Sequence, residues 1–452
     1  MAKLDTLYTL LENKNYTEFM RAIDETEPID IAEFIASLPE ERQLSVFRMF
    51  KKDISADIFA ELDSDVQEHL ISKVGDAEIS MMLEELYVDD AVDMLEELPA
   101  NMVKRILKIA KPETRALINK FLSYPEDSAG SIMTAEFIDL KKSMTVGEAI
   151  AHIRKTGIDK ETVYAAYVTD RSRILEGTIK LEELLFAPDS TLIGDVMDTD
   201  FAFASTHDEK ETVAMLISKY DLFALPVVDR EKRLVGIVTV DDAIDVIEDA
   251  ATEDIEMMGA ITPTDKPYLK TGVWETFKTR FPWLLLLMVS ATFTGQIIAS
   301  FESALSAFPI LIAFIPMLMG TGGNSGGQSS VTVIRGLALD EIRMGDVLRV
   351  IWKELRISLL CGAILAACNY VKIILVDNLI FRNGVDMISA LVVSFALLVT
   401  VVLAKIIGAS LPIFAKRVGF DPAVMASPLI TTIVDALSLM IYFAFAKLML
   451  GI

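Results

Sequence analysis

The sequence predicts a multidomain chain: an acidic α-helical solenoid, a tandem α/β pair, a long connector helix and a five-span α-helical membrane domain. Three observations carry this. The 452 residues hold 66 Asp and Glu against 42 Lys and Arg, a net charge of −24, yet 52% are hydrophobic and mean hydropathy is +0.42. Dividing the chain near residue 280 resolves the contradiction. Residues 281–452 hold 11 Lys and Arg against 9 Asp and Glu, leaving 31 against 57 in residues 1–280. Finally, apolar runs of bilayer-spanning length follow that point, while regular repeats precede it. The expected boundaries are 1–129 for the helical N-domain, 130–250 for the α/β pair, 251–280 for the connector and 281–452 for the membrane domain.

In the N-domain, Leu38, Phe50, Leu62, Val74, Leu86, Leu98 and Ala110 recur every twelve residues. Turn-type residues follow several of them (Pro39, Asp63, Gly75, Pro99). Stacked helices of about two turns would give this period. The run VDDAVDMLEELP places Asp89, Asp93, Glu96 and Glu97 on or near one helix face, a pattern that usually marks a solvated surface.

Residues 130–258 contain a duplication. GSIMTAEFIDL resembles GDVMDTDFAFA at an offset of 64, and YAAYVTDRSRILEGTIKLEELL matches FALPVVDREKRLVGIVTVDDAI at an offset of 59. Each copy reads helix, strand, strand, helix. The run DDAIDVIEDAATEDIEMM then carries eight acids between Asp241 and Glu256. Charge this dense destabilises a helix unless water or cations neutralise it.

Spans are expected at about 282–300, 304–320, 356–376, 387–411 and 422–449. Lys278 and Arg280 precede the first span, Arg335, Arg343, Arg349, Lys353 and Arg356 separate the second from the third, and Lys416 and Arg417 separate the fourth from the fifth. The opposite side carries few basic residues, which places the N-terminus in the cytoplasm and the C-terminus outside. Trp274 and Trp283 are expected near the inner headgroups. Lys372, Lys405 and Lys447 are expected to snorkel from span ends.

Asp435 lies half-way along the last apolar run, where an ionised carboxylate costs at least ~2.5–3.5 kcal/mol unless it faces protein or water. Ser427, Thr431 and Asp435 recur every four residues and so share a face. Pro428 cannot donate to the carbonyl of Val424, which leaves that oxygen free. One carboxylate with several neutral oxygens suits a hard, hydrated divalent cation; the alternative is an Asp bonded to a neighbouring helix. In PMLMGTGGNSGGQSS, residues 316–330, five glycines permit either close helix packing or an unwound segment. Asn324 and Gln328 add neutral donors and acceptors there.

Several classes are excluded. Net negative charge of this size repels nucleic acid. Cys361 and Cys368, both in an apolar run, form no disulfide framework, and three scattered histidines make no histidine metal site. No apolar segment of signal-peptide type opens the chain. No catalytic constellation points to an enzyme.

The α/β duplication resembles a CBS-domain pair. In that family a Gly-h-h-Ser/Thr-x-x-Asp stretch can hold a nucleotide, and Gly236, Thr239 and Asp242 match it. The first copy has Lys180 and Glu183 at the matching positions. The whole order resembles the MgtE-type magnesium channels, carried by PMLMGTGGNSGGQSS, DPAVMASPLITTIVDALSLMIYF, DDAVDML and VTVDDAIDVIEDAATEDI. The resemblance implies a homodimer in the plasma membrane with Mg²⁺ passing between its membrane domains. Asp435 of both subunits would hold a hydrated Mg²⁺ near the cytoplasmic side, with Thr431, Ser427 and Asn324 along the path. It also implies regulatory Mg²⁺ at Asp89, Asp93, Asp242, Asp245, Asp249, Glu253 and Asp254, which would close the path, and ATP as a regulatory ligand. Ala250 stands where some members have an acid. The competing readings are a transporter of Mn²⁺ or Co²⁺ and a non-conducting Mg²⁺ sensor.

Overall fold

The computed structural model describes residues 2–264, 268–302, 306, 308–425 and 427–450. It divides into two compact units, Met1–Glu248 and Asp249–Ile452.

The first unit opens with ten helices, α1 (Ala2–Glu12) to α10 (Pro112–Phe121). From α3 (Pro28–Ser37) onward the helix starts fall at 28, 40, 52, 64, 76, 88, 100 and 112, so the twelve-residue period is a period of whole helices. These helices have eight to ten residues, longer than the two turns that the spacing suggests. The difference lies in the links. Leu38, Val74, Leu86, Leu98 and Ala110 end their helices in an extended conformation, and the next residue caps the following helix. Two extended residues therefore connect neighbouring helices. Leu38, Val74, Leu98 and Ala110 are buried at those corners, where an apolar side chain covers the junction. Alternate helices pack on each other, 3 on 5 on 7 on 9 and 4 on 6 on 8 on 10, as in a solenoid.

The duplicated region folds as expected, with a short leading strand added to each copy. Strands β1 (Ile138–Leu140), β2 (Ala165–Thr169) and β3 (Leu175–Lys180) form one sheet in that order, parallel then antiparallel. Strands β4 (Ala204–Ser205), β5 (Ala224–Val228) and β6 (Leu234–Thr239) repeat it. The copies exchange their opening segments. Thr134 bonds in both directions with Ile237 of the second sheet, and Asp198 does the same with Thr178 of the first. Gly236 and Gly177 make this possible: a Cβ at Gly236 would sit 2.7 Å from the sulfur of Met133, and one at Gly177 would sit 2.8 Å from that of Met197. One hydrophobic core runs from the N-domain helices into the second copy, through Met133, Val213, Leu225, Val238 and Val246.

Helix α15 (Val240–Met258) grows directly from β6 and carries the acidic run. Among the described residues of the second unit five long helices follow: α16 (Val273–Ser300), α17 (Ile315–Ala338), α18 (Val347–Lys372), α19 (Met387–Val418) and α20 (Ser427–Leu450). Helix α18 continues as a π-helical stretch to Ile380. The segments containing α16, α18, α19 and α20 are long and apolar enough to cross a membrane. Helix α17 has 24 residues, about 36 Å at helical rise, but is less apolar. Of the expected second span, 304–320, residues 304, 305 and 307 lie outside the described residues; residues 309–314 form a 3₁₀ turn, and the helix runs from 315 to 338, beyond the expected end. Its small polar residues face other helices rather than lipid, so hydropathy marks it poorly.

Candidate functional site

The glycine-rich stretch does not unwind. It is helical throughout and lies at the centre of the membrane unit, packed against both α19 and α20. A Cβ on Gly408 of α19 would stand 2.2 Å from the carbonyl oxygen of Gly326, so those two backbones touch. Gly323 abuts the Thr431 methyl, while Gly322 abuts Ser438, Thr400 and Val434. Small residues let three helices approach closely here.

This packing fixes the face on which Asp435 stands. Thr431 and Asp435 lie one turn apart on α20, and the Thr431 hydroxyl donates to the Pro428 carbonyl at 2.9 Å. Asp435 is half-buried and makes no hydrogen bond or ion pair among the described residues. The Ser427 side chain lies outside the described residues. Pro428 falls in the first turn of α20, where a missing N–H costs nothing, so it frees no carbonyl within the helix. On α17, Gly320, Asn324 and Gln328 form an exposed stripe with a four-residue period.

The hydropathy pattern misses three buried acidic or basic side chains among the described residues of this unit, Glu354, Asp377 and Lys405. Glu354 of α18 is 8% exposed and accepts from the Ser329 hydroxyl at 2.6 Å. Lys405, expected to snorkel, is instead buried at 6% exposure in the middle of α19. Its ammonium donates to Gln328 Oε1 at 3.4 Å. Lys372 pairs with Asp377 at 2.9 Å.

In the first unit, folding gathers acids from four places. Helix α8 (Val88–Glu97) brings Asp89, Asp90 and Asp93, and α15 brings Asp241, Asp242 and Asp245. Helix α5 (Lys52–Ala60) and its C-cap bring Asp57 and Glu61. Glu136 and Glu161 come from the first α/β copy. Burial, and then the charges of Asp90, Asp242 and Glu161, push the Asp89 carboxyl well above its ordinary value. Burial and the Asp242 charge raise Asp90 to about 6, and lost hydration with the Asp242 and Asp90 charges raises Asp93 to about 7. Burial and neighbouring acids raise Glu161 to about 7. Asp242 rises to about 6 through burial, although Thr239 hydrogen-bonds to it. Asp89 Oδ1 and Glu161 Oε2 are buried without a hydrogen-bond partner among the described residues.

The structure thus brings Asp89, Asp93, Asp242 and Asp245 into one electrostatic cluster. Asp249, Glu253 and Asp254 lie farther along α15, in the second unit. The donor chemistry suits a hard divalent cation. Among the described residues, no three acids, histidines or cysteines converge closely enough to ligate a metal ion directly. Asp57, Glu61, Glu136 and Glu161 have no distinguishing local pattern, and only the tertiary fold reveals them.

Thr239 and Asp242 are bonded to each other at the start of α15. Gly236 is explained by packing against Met133 and Thr134. Beside them, Tyr164 and Phe223, equivalent positions of the two copies, stack with ring centroids 5.1 Å apart.

Comparison with known proteins follows the same division. Residues 315–445 match a divalent cation transporter family, residues 26–127 the MgtE intracellular N domain and residues 193–249 the CBS domain. The chain is 34% identical over 449 residues to the magnesium transporter MgtE of Thermus thermophilus, covering 98% of both chains. It is 32% identical to that of Bacillus subtilis, covering 97% of this chain and 95% of the relative. Among solved structures, the soluble part of a magnesium transporter matches at TM-score 0.53 and 31% identity, covering 55% of this chain and 98% of that one. The cytosolic domain of the Mg²⁺ channel MgtE in complex with ATP matches at TM-score 0.51 and 32% identity, covering 54% and 99%. The chain belongs to the MgtE family of magnesium transporters.

Proposed function

We propose that this chain is a Mg²⁺ channel of the plasma membrane that admits the ion down its electrochemical gradient and closes when cytoplasmic Mg²⁺ binds the acidic domains. The observation that carries the pathway is Asp435: a half-buried carboxylate without a partner among the described residues, on an apolar helix packed through glycines. A carboxylate at membrane depth is costly unless a cation or water attends it. The exposed amides of Asn324 and Gln328 support a second copy of the chain across the path, because polar groups at this depth need protein or water. Two positive charges moving inward gain ~4.6 kcal/mol per 100 mV, which suffices to drive influx without ATP hydrolysis.

Closure follows from charge. The carboxylates of α5, α8 and α15 repel one another, and divalent ions bridging them would stabilise the state in which they are close. Asp89, Asp93, Asp242 and Asp245 would hold such ions on one unit, with Asp249, Glu253 and Asp254 on the rest of α15. ATP bound near Thr239 and Asp242 would add a second input, as the ATP complex of the similar cytosolic domain suggests. The basic residues beside the spans support an orientation with both acidic regions in the cytoplasm and the C-terminus outside.

The test is Mg²⁺ flux into proteoliposomes with Mg²⁺ varied on the face bearing the acidic domains. Flux should fall as that Mg²⁺ rises and should vanish in Asp435→Ala. Normal conduction by Asp435→Ala would remove the site assignment. Mn²⁺ or Co²⁺ flux exceeding that of Mg²⁺ would change the cargo, and no divalent flux at all would leave a membrane sensor.

A further inference from the structure

A cation pathway has no obvious use for a buried positive charge, yet the membrane unit contains one. Lys405 is 6% exposed in mid-helix, and it donates to a neutral amide, Gln328, at 3.4 Å. The nearby buried acid, Glu354, is engaged by Ser329, and no carboxylate pairs with Lys405 among the described residues. An ionisable group at this depth is expensive and marks function by default.

Its position relates it to the proposed ion site. Ala404 packs in one cluster with Ile430 and Val434, so the residues preceding Lys405 and Asp435 belong to the same apolar cluster. Gln328 lies one turn beyond Asn324 on the exposed stripe of α17. We propose that Lys405 is a positioning and specificity-determining residue whose fixed charge, acting beside Gln328, keeps the Asp435 site weak enough for a divalent ion to leave. The inference rests on the reading of Asp435 as the pathway carboxylate. Carboxylates from two copies facing one divalent ion in a low dielectric would form a trap, whereas conduction requires release. A single positive charge opposes a divalent ion twice as strongly as a monovalent one. The Lys405 bond also occupies Gln328 Oε1, removing an oxygen that a passing cation would otherwise use.

The experiment compares the concentration dependence of Mg²⁺ flux in proteoliposomes for the wild type, Lys405→Met, Lys405→Gln and Lys405→Arg. Lys405→Met and Lys405→Gln should lower KM about threefold or more and lower maximal flux with it, a size set by one charge acting over one or two helical turns. Lys405→Arg should retain wild-type values. Lowered maximal flux at unchanged KM would show a merely structural role and overturn the proposal. So would wild-type kinetics in Lys405→Gln, or an Arg variant that behaves like the Met variant. A wild-type protein that conducts no divalent ion would overturn the channel reading and this one together.

Discussion

At Gly408 the membrane unit tolerates one hydrogen atom and nothing larger. The neighbour is the Gly326 backbone, which cannot rotate away as a side chain can. Gly408→Ala should therefore force α17 and α19 apart and lower stability by about 1–3 kcal/mol, read as a fall in the thermal midpoint in detergent. Gly295→Ala is the control, because a Cβ there meets nothing within 4 Å, and exposed helical Gly→Ala changes are neutral to favourable by up to about 1 kcal/mol. Equal midpoints for the two variants would show that the Gly326–Gly408 contact is not a constraint. Asp435 differs in kind, since its cost is electrostatic. Asp435→Asn should abolish Mg²⁺ flux while keeping or raising the midpoint, because a neutral amide of the same size is cheaper at that depth. A large loss of stability in that variant would mean the carboxylate serves the fold.

Among the elements, α8 and α15 carry the stored repulsion. Their carboxyls have folded-state pKa values above the ordinary carboxylate range, near 6 for Asp90 and Asp242. The folded state therefore binds more protons than the unfolded one between about pH 4 and 7. Stability must fall as pH rises through that window and level off above it. In the chelator-treated intact chain, thermal unfolding of the N-domain helices should shift upward as pH drops from 7.5 to 5. Asp90→Asn should flatten part of that slope and stabilise the Mg²⁺-free protein at pH 7.5 by roughly 1–3 kcal/mol. A stability that rises with pH over this range would contradict the crowding of these acids.

The same elements show what sequence can convey. The twelve-residue period was readable because each helix ends on an apolar residue at a tight corner, as at Leu38 and Leu98. Asp89, Asp93 and Asp242 stood out because they fall in acidic runs. Glu61 and Glu161 did not, since each joins the cluster only when distant helices pack. Helix α17 was misplaced for a related reason: Gly322, Gly326 and Ser329 are buried among helices, where lipid imposes no demand for apolar side chains. Lys405 was misread as a snorkelling residue because a one-dimensional hydropathy profile does not register the amide of Gln328 on another helix.

For the whole molecule, charge separation between the halves is what would link sensing to transport in the proposed function. A half carrying 57 acids against 31 bases attracts divalent ions through the summed field as well as through individual carboxylates. That field is screened by salt, with a Debye length of about 10 Å at 0.1 M and about 3 Å at 1 M. If Mg²⁺ acts by bridging partly hydrated carboxylates, monovalent salt must weaken its action without abolishing it, because contacts across a few ångströms are screened less than the long-range field. Trypsin digestion of the intact chain reads this directly, through Lys and Arg sites in the acidic half. Rising Mg²⁺ should protect them at low salt, and 0.5 M KCl should raise the half-protecting concentration about tenfold. Asp89→Asn combined with Asp242→Asn should raise it at both salt levels, because the bridged carboxylates themselves are gone. A half-protecting concentration that does not move with salt would mean that a few closely ligated, dehydrated ions do the work, and the excess negative charge would then need another explanation.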